Sequence, residues 1–115
     1  MTEPRPTIRP FSEAEPYQQD EPGIATFARL MKKDEVPGLE MGHVSLEGPI
    51  HKTPAAHEQW QQVYLIFCGC GTIHLGDESR KVTAPTMVVI PSNTRYSVQL
   101  DAGEKMQYVF VNQYH

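Results

Sequence analysis

Cysteine is scarce in this chain: Cys68 and Cys70 are the only two among 115 residues. One residue separates them, too tight for an unstrained disulfide on a strand, where side chains at i and i+2 point the same way. Zinc-binding pairs take roughly two to four intervening residues and a second ligand pair elsewhere. The two read as free thiols, facing outward or sitting at a strand turn, in a reducing compartment. Basic charge is scarce as well. Ten Lys and Arg stand against fourteen Asp and Glu, a formal charge of −4. That balance excludes the clustered cationic surplus that neutralises phosphates, and with it a nucleic-acid partner. No apolar run approaches the roughly 20 residues of a membrane-spanning helix. The opening Met1-Thr2-Glu3-Pro4-Arg5-Pro6 lacks the apolar stretch of a secretory signal. The expectation is a cytoplasmic protein with no membrane partner. Absent too are a Gly-x-Ser-x-Gly elbow, a phosphate-cradling Gly-rich loop and His-Glu-x-x-His. Glu58 and Glu78 lie in loop-like stretches and do not suggest the paired carboxylates of glycoside hydrolysis.

What is present fits one globular domain: 115 residues, 39% hydrophobic and 21% charged. Proline divides the chain. Five of its ten prolines (Pro4, Pro6, Pro10, Pro16, Pro22) precede position 23, and each removes an N–H and extends the residue before it. Residues 1–22 therefore read as an extended proline-rich arm, adding an edge strand or lying across a neighbour, and residues 23–115 as the domain proper. In 23–33 the spacing of Ile24, Phe27, Leu30 and Met31 fits a helical turn nearly as well as a twisted strand; it is read as strand. Thereafter short β-rich runs follow one another: 39–46, 62–68, 72–75, 81–84, 87–90, 96–100 and 106–112. Turn clusters at Gly69-Cys70-Gly71, Gly76-Asp77-Glu78-Ser79, Pro91-Ser92-Asn93-Thr94 and Asp101-Ala102-Gly103-Glu104 divide them. About seven short strands so punctuated predict an all-β sandwich or barrel.

Strand alternation assigns several side chains. One of Gln61 and Gln62 faces inward, and Tyr64 and Ile66 share the face of Gln62. His74, between core-facing Ile73 and Leu75, faces outward. His43 and His115 are expected to be exposed.

The stretches 57–76 (HEQWQQVYLIFCGCGTIHLG) and 84–96 (APTMVVIPSNTRY) resemble the two motifs of the cupin superfamily, in its small single-domain form. Gln62, six residues and Gly69 reproduce the interval from glutamate to glycine in the first motif. His57 takes the second histidine place and Ala55 the first, so one ligand is missing. In the second motif Pro85 and Asn93 take glycine places, Tyr96 the histidine place and Leu100 the final asparagine place. The resemblance implies an antiparallel jelly-roll barrel, a double-stranded β-helix, that commonly pairs as a homodimer. It also implies a divalent metal inside the barrel (iron, manganese, nickel or zinc), held here by His57 and Gln62. His51 would substitute for the absent histidine if residues 52–56 loop out, with Tyr96 or water fourth. Tyr96 would serve only a strong Lewis acid as an anion, since ionising it at neutral pH costs about three pKa units, roughly 4 kcal/mol. Tyr64, Ile66 and Trp60 would line a small-molecule cavity, with Tyr96 as proton donor or acceptor. Two functions follow from the likeness. One is a metal-dependent dioxygenase, isomerase or lyase acting on a small oxygenated compound, sugar-acid-like or ring. The other is a metal-free binding or sensor domain.

Overall fold

The computed structural model describes residues 4–17, 25–51 and 54–114. Pro22, His115 and part of the predicted 52–56 loop lie outside these residues. Nine strands occupy the described chain: β1 (Glu15–Tyr17), β2 (Ala25–Met31), β3 (Leu39–Glu47), β4 (Ile50–His51), β5 (Trp60–Leu75), β6 (Glu78–Thr83), β7 (Thr86–Ile90), β8 (Tyr96–Leu100) and β9 (Lys105–Tyr114). Every pairing is antiparallel, in the order β1-β2-β3-β9-β5-β8-β4, with β6 and β7 also on β5. No helix among the described residues is long and apolar enough to cross a membrane.

The long strand β5 belongs to both halves of the curled sheet. Its first part lies between β9 and β7, and its second between β8 and β6. In the first part Gln62, Tyr64 and Ile66 are buried, while Val63, Leu65 and Phe67 are exposed. The register shifts between Ile66 and Cys68. Phe67, Cys68 and Gly69 are all exposed, and burial resumes at Gly71 and Ile73. A bulge has moved the inward face from even to odd positions. Gly69 makes this turn with a φ of 86° and its backbone pressed on β9, where a Cβ would collide with the Lys105 carbonyl oxygen. The glycines at 69 and 71 were expected to separate two strands; they bend one.

The apolar core sits where the halves meet, around Val44, Leu46, Ile66, Ile73, Leu100 and Met106. Each such side chain contributes about 1.5–3 kcal/mol by leaving water. At the other end of the inward face the sequence turns polar, and that end carries the candidate site. The described part of the proline-rich segment adds β1 to the sheet edge. It also lays Phe11 over the outer face, 5.0 Å from the His43 ring and 6.5 Å from Phe67. His43, expected to be exposed, is half-buried between these aromatics and bonded to Gln107.

Candidate functional site

Backbone hydrogen bonds draw the two motif segments together. The Asn93 N–H donates to the His57 carbonyl at 2.7 Å, from a turn in which Asn93 has a φ of 62°. Ala55 and Tyr96 exchange two more such bonds, at 3.0 and 2.9 Å. His57 Nε2 and the Tyr96 hydroxyl consequently lie 2.7 Å apart. The indole of Trp60 stacks on His57 with centroids 4.1 Å apart, and Tyr114 lies 5.1 Å from Trp60.

This environment favours the neutral form of both partners. Loss of solvent pushes the His57 pKa down. Burial pushes Tyr96 up, opposed by hydrogen bonds from Tyr64 and Gln62. Tyr64, fully enclosed and stacked on Tyr108 at 4.4 Å, is pushed well above the ordinary phenol range by burial and by its two tyrosine neighbours. A neutral imidazole beside a protonated phenol can relay one proton without any formal charge in the ground state.

Gln62, only 7% exposed, donates Nε2 to Asn112 Oδ1 at 2.8 Å. Asn112 Nδ2 donates to Glu40 Oε1 at 2.9 Å, and the Tyr114 hydroxyl donates to that same oxygen at 2.9 Å. Arg29 stands 3.9 Å from the other carboxylate oxygen. Among the described residues two buried polar side-chain atoms find no partner, Gln62 Oε1 and Trp60 Nε1. Sequence reasoning missed Asn112 and Glu40. The available signal was a carboxylate on the face of β3 that also carries Gly42, Val44 and Leu46.

The structure thus brings His57, Trp60, Gln62, Tyr64 and Tyr96 together, and separates two other candidates from them. Ile66 has no exposure and belongs to the core rather than to a ligand wall. His51 is exposed on β4, opposite Gln99 of β8, with its ring 5.5 Å from His74. Ile50 is buried, so alternation turns His51 to the outer face, away from His57. There His74 hydrogen-bonds Ser79 and Gln99 at 2.6 and 2.8 Å. Without His51, the donors at the site are one imidazole already bonded to a phenol, one neutral amide oxygen and one tyrosine whose ionisation burial opposes. No three His, Cys, Asp or Glu side chains converge among the described residues. A set with a single imidazole and no anion does not fit a tightly held divalent ion.

An open groove of about 480 Å³ is lined by residues of β5, β6 and β7, Ile73, Leu75, Arg80, Val82 and Val88 among them. None of His57, Gln62 and Tyr96 lines it, although Leu75 pairs with Tyr96 and Val88 with Tyr64 across the strands.

No family model and no curated protein matches the chain. Solved structures do. A predicted oxalate decarboxylase from Thermotoga maritima superposes with a TM-score of 0.83 at 16% identity, over 95% of this chain and 100% of that one. The polyketide cyclase RemF from Streptomyces resistomycificus gives 0.80 at 15% identity, over 95% and 80%. A cupin-2 domain from Rhodospirillum rubrum gives 0.78 at 16% identity, over 99% and 78%. At such identities the likeness is one of fold.

Proposed function

For a chain that is a small cupin in fold, with a degenerate form of that family's metal motif, we propose a small-molecule-binding protein that works without a resident metal. One observation carries this reading: Gln62 Oε1 is buried and has no partner among the described residues, beside the joined His57 and Tyr96 side chains. An unmet buried acceptor costs about 1–3 kcal/mol, which a ligand donor recovers. His57, Trp60, Gln62, Tyr64 and Tyr96 form the site, and a small oxygenated compound, of sugar-acid or ring type, is its ligand class. The His57–Tyr96 contact favours a second reading, isomerase- or lyase-type proton transfer, in which Tyr96 exchanges a proton with a ligand oxygen and His57 holds that hydroxyl in line. Free Cys68 and Cys70 suit a reducing, cytoplasmic setting.

Elemental analysis and a binding titration test the proposal together. Protein incubated with iron, manganese, nickel or zinc and then dialysed is expected to keep well under one equivalent, with no difference in His57→Ala. D-glucuronate is expected to shift the His57 and Trp60 resonances saturably. One equivalent of metal, lost in His57→Ala, would return the chain to metal-dependent chemistry.

The homodimer belongs to the same proposal. Outward side chains of two adjacent strands form an apolar patch: Val63 pairs with Val89 and Leu65 with Met87. Leu65 is 52% and Met87 63% exposed. A contiguous apolar surface on a sheet face is the kind that a second copy covers.

A further inference from the structure

We infer that Glu40, acting through Asn112, decides which atom of Gln62 faces the ligand, and so matches Gln62 and Trp60 to the hydroxyl groups of that ligand rather than to a carboxylate. This rests on the ligand site proposed above. Glu40 and Asn112 are direct partners across β3 and β9, and Asn112 and Gln62 across β9 and β5. The three side chains therefore form a straight line over the inward face of the sheet. A carboxylate only accepts hydrogen bonds. Asn112 must turn its NH2 toward Glu40, at 2.9 Å, and this leaves Oδ1 facing β5. Gln62 must then offer its own NH2, at 2.8 Å. Its Oε1 is left over, buried and unpaired.

Arg29 and the Tyr114 hydroxyl, both donors, approach Glu40 and hold it in the accepting role. Trp60 follows the same inward face, two residues before Gln62 and about 7 Å away along the strand, and its buried Nε1 donor is also unpaired. A ligand that satisfies both atoms must donate to Gln62 and accept from Trp60. Hydroxyl groups do both. A carboxylate only accepts, and it would set its charge against the Gln62 carbonyl. Sites with unmet buried polar atoms discriminate strongly against ligands that leave them unmet.

The test uses the full chain, with xylitol and glutarate as probes: both have five carbons, one carrying hydroxyls and the other carboxylates. Side-chain amide and indole resonances report binding. Wild-type protein is expected to show saturable shifts at Gln62 and Trp60 with xylitol and none with glutarate. In Glu40→Gln the new carbonyl faces Arg29 and its NH2 faces Asn112. Both amides downstream invert, xylitol weakens at least tenfold and glutarate gains. Adding Asn112→Asp restores an acceptor opposite Gln62 and recovers xylitol binding, a rescue that a merely structural role would not produce. Should Glu40→Gln fail to fold, Asn112→Asp alone is expected to keep the xylitol preference, and its loss would overturn the relay. Unchanged xylitol affinity in folded Glu40→Gln overturns the relay and leaves the site standing. If neither probe moves His57, Trp60, Gln62 or Tyr96 in the wild type, the ligand class and the site fall together.

Discussion

His57 Nε2 and the Tyr96 hydroxyl lie 2.7 Å apart across 39 positions of sequence. Burial favours the uncharged imidazole, so His57 is expected to titrate below its ordinary value. Its folded pKa is lower than its unfolded one. The associated stability is therefore complete above about pH 6.5 and is lost as pH falls through the folded value. Proton NMR of the His57 ring checks the pKa, and thermal melts of wild type and His57→Asn over the same range check the sign. A midpoint at or above the ordinary value would remove the neutral imidazole from the proposed site.

Tyr114 provides the complementary case on the alkaline side. Desolvation and the Glu40 carboxylate push its pKa up to about 12. The folded value is above the unfolded one, so the associated stability is present below about pH 10 and is lost as pH rises through the folded value. Phenolate absorbance in wild type and Tyr114→Phe is expected to differ by a late-titrating step. That step is expected earlier in Glu40→Gln, where no carboxylate opposes ionisation.

Ile66 is structural. Ile66→Ala is expected to cost about 2–5 kcal/mol in denaturant unfolding, with unchanged xylitol affinity in the folded fraction. Lost affinity with little lost stability would put Ile66 back at the ligand.

Two glycines of positive φ separate strain from collision. Gly76 has open space around a φ of 59°, and Gly76→Ala carries conformational strain only, about 1–2 kcal/mol. Gly69→Ala adds a clash with the Lys105 carbonyl. Its denaturant midpoint is expected to fall well below that of Gly76→Ala. Equal midpoints would mean that β5 and β9 separate freely at the bulge.

For the homodimer, Leu65→Glu places a charge in the apolar patch without touching the core. Sedimentation is expected to show a dimer for wild type and a monomer for the variant. A wild-type monomer at all concentrations, or a dimer indifferent to Leu65→Glu, rejects this face.

Much of the strand pattern was legible because β-branched and aromatic runs alternate with turn residues, and the left-handed turn at Asn93 followed from the glycine place it takes in the second motif. The resemblance to the cupin motifs implied a neighbourhood of His57, Gln62 and Tyr96, and in the structure Tyr96 meets both of the others. The relay behind Gln62 was not legible. Glu40 and Asn112 are 72 positions apart, and only the register of β3 on β9 makes them neighbours. His51 was misplaced for a related reason: its direction is set by Ile50 packing into the core, a tertiary fact. In β5, two glycines looked like a break between strands, because close backbone approach and chain reversal call for the same residue.

The bulge at Phe67–Gly69 sets the phase of two pleats at once. Deleting its one extra residue would iron out the bulge and keep Ile73 facing inward by plain alternation. A single insertion or deletion between the bulge and Ile73, by contrast, would leave Gln62 and Tyr64 in place and invert every side chain beyond it, exposing Ile73 and driving His74 into the oil. At the bulge itself, one residue can be lost with both inward faces kept. Length variation beyond the bulge is therefore tolerable only in pairs, and a lineage that gained or lost a single residue there would have to rebuild the β6–β8 half while inheriting the ligand-binding half unaltered.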